Sequence, residues 1–241
     1  MNNKTLTLKM KRAISELRSG GKVVISDNSF GTSILLMSAE LIEKESVKKL
    51  SELALSRPNI ILTSNRCNAI GIEVSNQPCS ILIENNWTMN DILSLCMPLT
   101  GYKIPTINGV ITENNTSIIS YCLLILRQSR LLPAGLMSII SNVATDNINP
   151  WTFKNNFIHV DVNDIKSYEQ RSAESLVMAV RAKVPIAETE NCEVIIFRPQ
   201  DGGDEHFCLV FGKTREIDNE FKNETLVCLL YTSDAADEAW G

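Results

Sequence analysis

The spacing of apolar residues changes several times along the chain, and each change marks an element. Met10, Ala13, Ile14 and Leu17 recur at i, i+3, i+4 and i+7, which lines one face of a helix. Gly20-Gly21 follow, and glycine readily takes the positive φ that ends a helix. Val23-Val24-Ile25 reads as a buried strand, Asp27 to Ser33 as a polar loop, and Ile34 to Met37 as a second apolar segment. Ser46 is placed to cap a helix turning Val47, Leu50, Leu53 and Ala54 inward. Pro58 closes that helix, and Ile60-Ile61-Leu62 is the next short strand. Ser80 to Ile83 reads as a strand, Met89 to Leu95 and Ile118 to Gln128 as helices. Pro133-Ala134-Gly135 turns the chain into a strand over Leu136 to Ile140.

Asn142 to Pro150 has the composition of a linker, and Phe157 to Val160 is a further strand. Asp161 and Asp164 open a helix, the first accepting backbone N–H groups and the second favoured by the helix dipole. Ser172 to Lys183 is expected to be a linking helix. Beyond Pro185 the pattern becomes β-rich. Glu193 to Phe197 and His206 to Phe211 read as strands joined by the hairpin signal Asp201-Gly202-Gly203-Asp204. This alternation predicts an α/β fold of mixed α+β layers, with a boundary between Arg171 and Pro185.

The 44% hydrophobic and 21% charged content is that of a chain able to bury a core. The formal charge is -5 and no basic stripe is present, which argues against nucleic acid as a partner. No apolar run approaches the ~20 residues of a membrane span. No signal-peptide core follows Met1, so a cytoplasmic protein without membrane partners is expected. Seven cysteines occur without a Cys-x-x-Cys pair. In apolar runs such as those around Cys96 and Cys122 they read as small buried hydrophobes of a reducing compartment rather than as disulfides.

The end of the chain stands apart. Cys228 through Glu238 reads as the translation of a common transposase sequencing adaptor. Residues 228–241 are therefore expected to be adaptor-derived, to lack firm structure, and to be set aside in fold reasoning. That stretch supplies three acids and no base, so the remainder carries -2.

The order of several segments resembles the riboflavin-biosynthesis family in which a 3,4-dihydroxy-2-butanone 4-phosphate synthase domain is fused to a GTP cyclohydrolase II domain. Ala13 to Val24 is similar to that family's opening helix and strand, and Met37-Ser38-Ala39-Glu40 to the segment after its acidic loop. Ile61-Leu62-Thr63 through Arg66-Cys67 to Gly71-Ile72 resembles its next strand and helix. Leu132-Pro133-Ala134-Gly135-Leu136 resembles its Pro-Ala-Gly turn, and Val160 to Tyr168 its last strand and helix. Arg181 to Pro185 is similar to the entry strand of the second domain. Phe197-Arg198 through Asp201-Gly202-Gly203-Asp204-Glu205-His206 to Lys213 is similar to its first hairpin. The resemblance implies residues 1–171 as the synthase-like domain, 172–184 as a linker helix and 185–227 as the opening of the cyclohydrolase domain.

The same resemblance implies which chemistry is missing. The family's dense acidic loop, which holds Mg²⁺, corresponds to Ile25-Ser26-Asp27-Asn28-Ser29-Phe30-Gly31-Thr32-Ser33-Ile34, where one carboxylate remains. Magnesium is held through carboxylates and waters. The Gly-His-Thr-Glu segment falls on Ser117-Ile118-Ile119-Ser120, and a late catalytic glutamate on Ile139. With no titratable group there, acid–base chemistry has no agent. Asp27 is expected to be a solvated loop residue. For the cyclohydrolase, Zn²⁺ held by three closely spaced cysteines and the GTP-binding residues would all lie after Val227. Cys228 is not expected to be a zinc ligand.

His206, beside Glu205 and Cys208, and His159, within a core strand, are expected to serve packing. No residue is therefore assigned a catalytic, cofactor-binding or metal role, and no cofactor is expected in this chain. The implied function is a riboflavin-pathway protein related to GTP cyclohydrolase II, catalytically silent in these 241 residues and forming a homodimer through the synthase-like domain. A non-enzymatic dimeric scaffold or regulatory partner, and a diverged Mg²⁺-dependent synthase, are the alternatives. GTP would be the substrate of the longer parent.

Overall fold

Strands in the first two thirds of the chain are apolar at nearly every position, the pattern of a sheet covered on both faces. The computed structural model describes residues 3–98, 103–112, 117–184, 192–199, 205–211, 216–217, 220–221 and 227–229. The chain divides into two compact units, Met1–Tyr168 and Glu169–Gly241.

The first unit opens with helix α1 (Asn3–Arg18), which ends at Gly20 with φ +78°. Strands β1 (Val23–Asp27) and β2 (Thr32–Ser38) form a hairpin paired from Val23↔Leu36 to Asp27↔Thr32. Only Asn28 to Gly31 is turn, so most of the expected polar loop belongs to the ladder. Helix α2 (Ser46–Ala54) starts one residue earlier than a Ser46 cap requires. Glu45 is its N-cap without a side-chain bond, and the Ser46 hydroxyl accepts the Glu43 N–H at 2.8 Å. Then come β3 (Asn59–Leu62), α3 (Ser64–Ala69), β4 (Cys79–Leu82) and α4 (Met89–Cys96), the last begun by a capping box between Thr88 and Asp91. Strand β5 (Val110–Thr112), helix α5 (Ile118–Gln128) and strand β6 (Ala134–Ile139) follow.

Asn142 to Pro150 is not a linker. A 3-10 turn at Thr145–Asn147 runs into α6 (Ile148–Lys154). Pro150 lies in the first turn, where its missing N–H leaves no intrahelical bond unmade. Ile148 is buried, and Trp151 stacks on Phe157 with ring centroids 5.7 Å apart, so the segment is anchored by packing that its polar composition hides. Strand β7 (Ile158–Asp161) and helix α7 (Val162–Glu174) complete the set.

The sheet order is β5-β4-β3-β6-β2-β1-β7, with β1 and β7 parallel and every other pair antiparallel. Alternate side chains feed two cores. Val23, Ile25, Ile34, Leu36, Met137 and Val160 pack with Met10 and Leu17 of α1 and Cys122 and Leu126 of α5. Val24, Leu35, Met37, Ile60, Leu62 and Leu136 pack on the other face with Leu50 of α2, Leu95 of α4 and Ile148 of α6. These cores make a three-layer α/β architecture, as the alternation of elements predicts. Cys67 and Cys79 are paired as a disulfide in the second core, contrary to the expectation of separate thiols. Cys96 and Cys122 are free and buried, as expected, and burial raises both thiols well above the ordinary range, Cys96 to about 12.

In the second unit the expected linking helix from Ser172 to Lys183 is helical only to Glu174, where α7 ends, and is a strand, β8, over Leu176–Lys183. Seven of its residues pair with β9 (Cys192–Pro199), from Leu176↔Pro199 to Lys183↔Glu193. Long-range pairing, reinforced by the β-branched Val177 and Val180, overrides the helical reading of this segment. Strand β10 (His206–Phe211) continues the sheet. The Asp201–Asp204 hairpin signal lies outside the described residues. Strands β11 (Glu216–Ile217) and β12 (Glu220–Phe221) pair with each other. Strand β13 (Val227–Leu229) pairs with β10 at Leu209↔Cys228 and Cys208↔Leu229, so the first two residues of the adaptor-like stretch take part in a ladder. Among the described residues no helix is long and apolar enough to cross a membrane.

Candidate functional site

At the tip of the β1–β2 hairpin, Asp27 is 4% exposed and its Oδ1 accepts the Ser29 N–H at 2.9 Å. It is a buried turn-closing carboxylate, not the solvated loop residue its setting suggests. Phe30 at the tip is 75% exposed, and Gly31 supplies the positive φ (+62°) that the turn requires. Ile139, at the end of β6 opposite Ile34, is 49% exposed. At the start of α5, Ile119 is in the core and Ser117 Oγ is buried without a hydrogen-bond partner. The positions marked by sequence thus carry one carboxylate, already engaged by a backbone donor. This donor set does not fit a Mg²⁺ site, which needs several hard oxygen ligands. Among the described residues no three His, Cys, Asp or Glu side chains come together as a metal-ligating group.

A polar cluster that sequence spacing does not reveal lies between β1, β7 and α6. Ser26 Oγ is 2.8 Å from His159 Nε2 and 3.3 Å from Asp161 Oδ2, and His159 Nδ1 is 2.6 Å from Asn149 Oδ1. The Asn149 carbonyl only accepts, so Nδ1 of the neutral ring carries the proton, and Nε2 and Asp161 Oδ2 share the one Ser26 hydroxyl proton. Burial, then the Lys9 ammonium, outweigh the Asp161 and Asp164 carboxylates and lower His159 to about 4. The order Ser–His–Asn is that of a nucleophile, a base and an orienting group. Ser26 is fully buried, however, so no substrate can reach its oxygen. The cluster therefore ties β1, β7 and α6 together, and His159 is more than a packed core residue.

Asp161 and Asp164 act as the sequence predicts for a helix start. Asp161 Oδ1 accepts the Asn163 N–H at 2.9 Å, and Asp164 Oδ2 accepts the Asp161 N–H at 3.2 Å. Asp164 also holds Lys9 of α1 at 2.5 Å. In the second unit, His206 is half-buried and Cys208 buried on β10, with Cys208 beside Ile195 and Val210 in a small core. Glu205 is ion-paired with Arg198, which removes it from any shared role with His206.

A cleft of about 1030 Å³ lies between α2 and the segment joining β4 to α4. Its apolar floor includes Val47, Trp87 and Ile92. Its rim charges face one another, Lys48 with Glu52 at 3.9 Å and Arg57 with Glu84 at 3.7 Å. No nucleophile–base pair lines it.

No protein-family profile matches the chain. Over 210 residues it is 25% identical to GTP cyclohydrolase-2 of Azospirillum brasilense, covering 83% of this chain and 52% of that protein. The chain thus spans about half the length of this curated relative. Among solved structures it is similar to RibBX, a two-domain 3,4-dihydroxy-2-butanone 4-phosphate synthase from A. baumannii. That match has a TM-score of 0.54 and 12% identity, over 84% of this chain and 70% of that one. It is also similar to a 3,4-dihydroxy-2-butanone 4-phosphate synthase in complex with two magnesium ions, with a TM-score of 0.53 and 12% identity over 68% and 97% of the two chains. The chain has the fold of these synthases and is related in sequence to a protein of riboflavin biosynthesis.

Proposed function

We propose that this chain is a riboflavin-pathway protein in which a synthase-fold unit without synthase chemistry precedes the opening of a GTP cyclohydrolase II-like domain. The observation that carries the reading is the state of the β1–β2 tip. One buried carboxylate, bonded to a backbone amide, stands where enolisation and formate loss from a sugar phosphate would need several acids and a metal. The likeness to the Azospirillum cyclohydrolase covers 83% of the chain, more than the 168 residues of the first unit, so it extends into the second.

Zinc-assisted opening of a guanine ring calls for a compact set of thiolates. The described free cysteines of the second unit, Cys192 and Cys208, are both buried on paired strands and provide no such set. On this reading neither activity is expected of these 241 residues, and the GTP-directed activity is assigned to a longer form of the protein. The test is formate release by the 241-residue chain, measured separately with GTP plus Zn²⁺ and with ribulose 5-phosphate plus Mg²⁺. No release above the protein-free rate is expected in either arm. Turnover of ribulose 5-phosphate would overturn the loss of synthase chemistry, and turnover of GTP the dependence on a longer chain.

A further inference from the structure

A small open pocket of about 180 Å³, lined by both polar and apolar side chains, lies between α3 and α5. Strand β3 ends at Leu62 beside Ala134, at the start of β6, whereas Ile139 at the end of β6 lies beside the hairpin. Five residues along an antiparallel strand span roughly 17 Å, so the Thr63 end of the pocket is separated from the β1–β2 tip, while Ser120 lies at the start of α5. Its polar lining is Thr63 and Ser64 after β3, Asn76 before β4, and Ser120 and Arg127 from one face of α5. Leu123, from the intervening turn of α5, supplies an apolar wall.

The chemistry of this lining is one-sided. It holds one guanidinium, three hydroxyls and one carboxamide, and no carboxylate. The Thr63 oxygen accepts the Arg66 N–H at 3.3 Å, which leaves its own O–H as a donor. Asn76 takes φ +48°, a left-handed conformation that asparagine tolerates and that places it at the pocket mouth. Arg127 is exposed at the rim. A fixed planar fork of donors with hydroxyls around it matches a tetrahedral oxyanion, for which arginine can give two parallel N–H bonds. The volume falls below the roughly 300–1,000 Å³ typical of larger organic ligands, which limits the occupant to one anionic group and its immediate substituent.

We propose that this pocket binds a single phosphate group, either free phosphate or the phosphate end of a small monoester, held chiefly by Arg127 with Thr63, Ser64 and Ser120. The proposed function rests on the β1–β2 tip, which this pocket does not include; Ser120 is the one lining residue that also belongs to the segment at the start of α5 where synthase chemistry is missing.

The test is an amide-resolved NMR titration of the full chain at constant ionic strength, with inorganic phosphate in one arm and glycerol 3-phosphate in the other. Chloride serves as the control. Saturable shifts confined to residues 63–66 and 120–127 are expected in at least one arm. The tighter arm identifies the natural source of the anion. Arg127→Gln should weaken that binding about tenfold or more, because a charge-assisted pair is lost. Arg127→Lys should retain part of it. Both variants are expected to fold, since Arg127 is exposed, and the unshifted remainder of the spectrum checks this. Absence of saturable shifts in both arms, or equal binding by folded Arg127→Gln, would overturn the proposal.

Discussion

Arg66 offers a sharp test of how the second core is held. Its guanidinium reaches from α3 to the C-terminus of α4, where Nε donates to the Leu95 carbonyl at 2.8 Å. Its NH2 nitrogen donates to the Ser94 and Met97 carbonyls at 2.7 and 2.6 Å. These are among the carbonyls that a helix end leaves without intrahelical partners, and the positive charge complements the helix dipole there. Burial lowers the Arg66 pKa, but a guanidinium stays charged across the working range. Arg66→Met keeps the stem and removes all three bonds. One such bond to a charged group contributes about 1.5–3 kcal/mol. Solvent can reach part of this end, and the bonds are not additive, so the expected loss is about 2–4 kcal/mol rather than three times that figure. Arg66→Lys keeps charge but loses the fork and should fall between the two. The two units need not unfold together, so the measurement is hydrogen exchange of the α4 and α3 amides as urea is added. Equal protection of α4 in Arg66→Met and the unaltered protein, within about 0.5 kcal/mol, would refute the reasoning.

Two further outcomes are expected in the first unit. A Cβ on Gly135 would come 2.8 Å from the Met37 carbonyl oxygen and 2.9 Å from Leu126 Cδ1, so Gly135→Ala should destabilise by roughly 1–3 kcal/mol in thermal unfolding. A neutral result would show that β2 and β6 can separate without loss. His159 is lowered to about 4 in the folded protein, so the unfolded chain binds its proton first. Stability should therefore fall as pH drops from about 6.5 to about 4. The full difference corresponds to about 3 kcal/mol, which solvent screening of a partly exposed ring reduces to about 1–2 kcal/mol. His159→Gln should flatten that part of the curve, and an unchanged slope would count against the assigned neutral ring.

Much of the three-layer fold is legible in the sequence because its strands are short continuous apolar runs and its helices keep one apolar stripe. Ile118–Gln128 and the Asp161–Asp164 helix start are read directly from such patterns. Segments whose structure depends on partners outside their own span are not. Helix α6 is held by Ile148 and by Trp151 against Phe157, with few local signals, and β8 exists through its ladder with β9. That the stretch from Ile25 to Ile34 holds a single carboxylate is legible because the presence or absence of a residue type needs no geometry. The Ser26–His159 contact joins residues 133 apart and follows from the β1–β7 pairing alone. The pocket at Arg127 likewise draws on three separate stretches of chain.

That single parallel pairing also governs the order in which the first unit can assemble. Strand β1 emerges early but finds its outer neighbour only when Ile158–Asp161 has been made, and the loop so closed is more than half the chain. Helix α1 depends on the same event, since its apolar face is covered partly by β7 and by Val162 and Ile165 of α7. Closing so long a loop is entropically expensive and slow compared with forming the local hairpin. A nascent chain therefore carries α1 and one edge of β1 uncovered until Ile158–Asp161 has been made, and the first unit completes itself from its two ends at once.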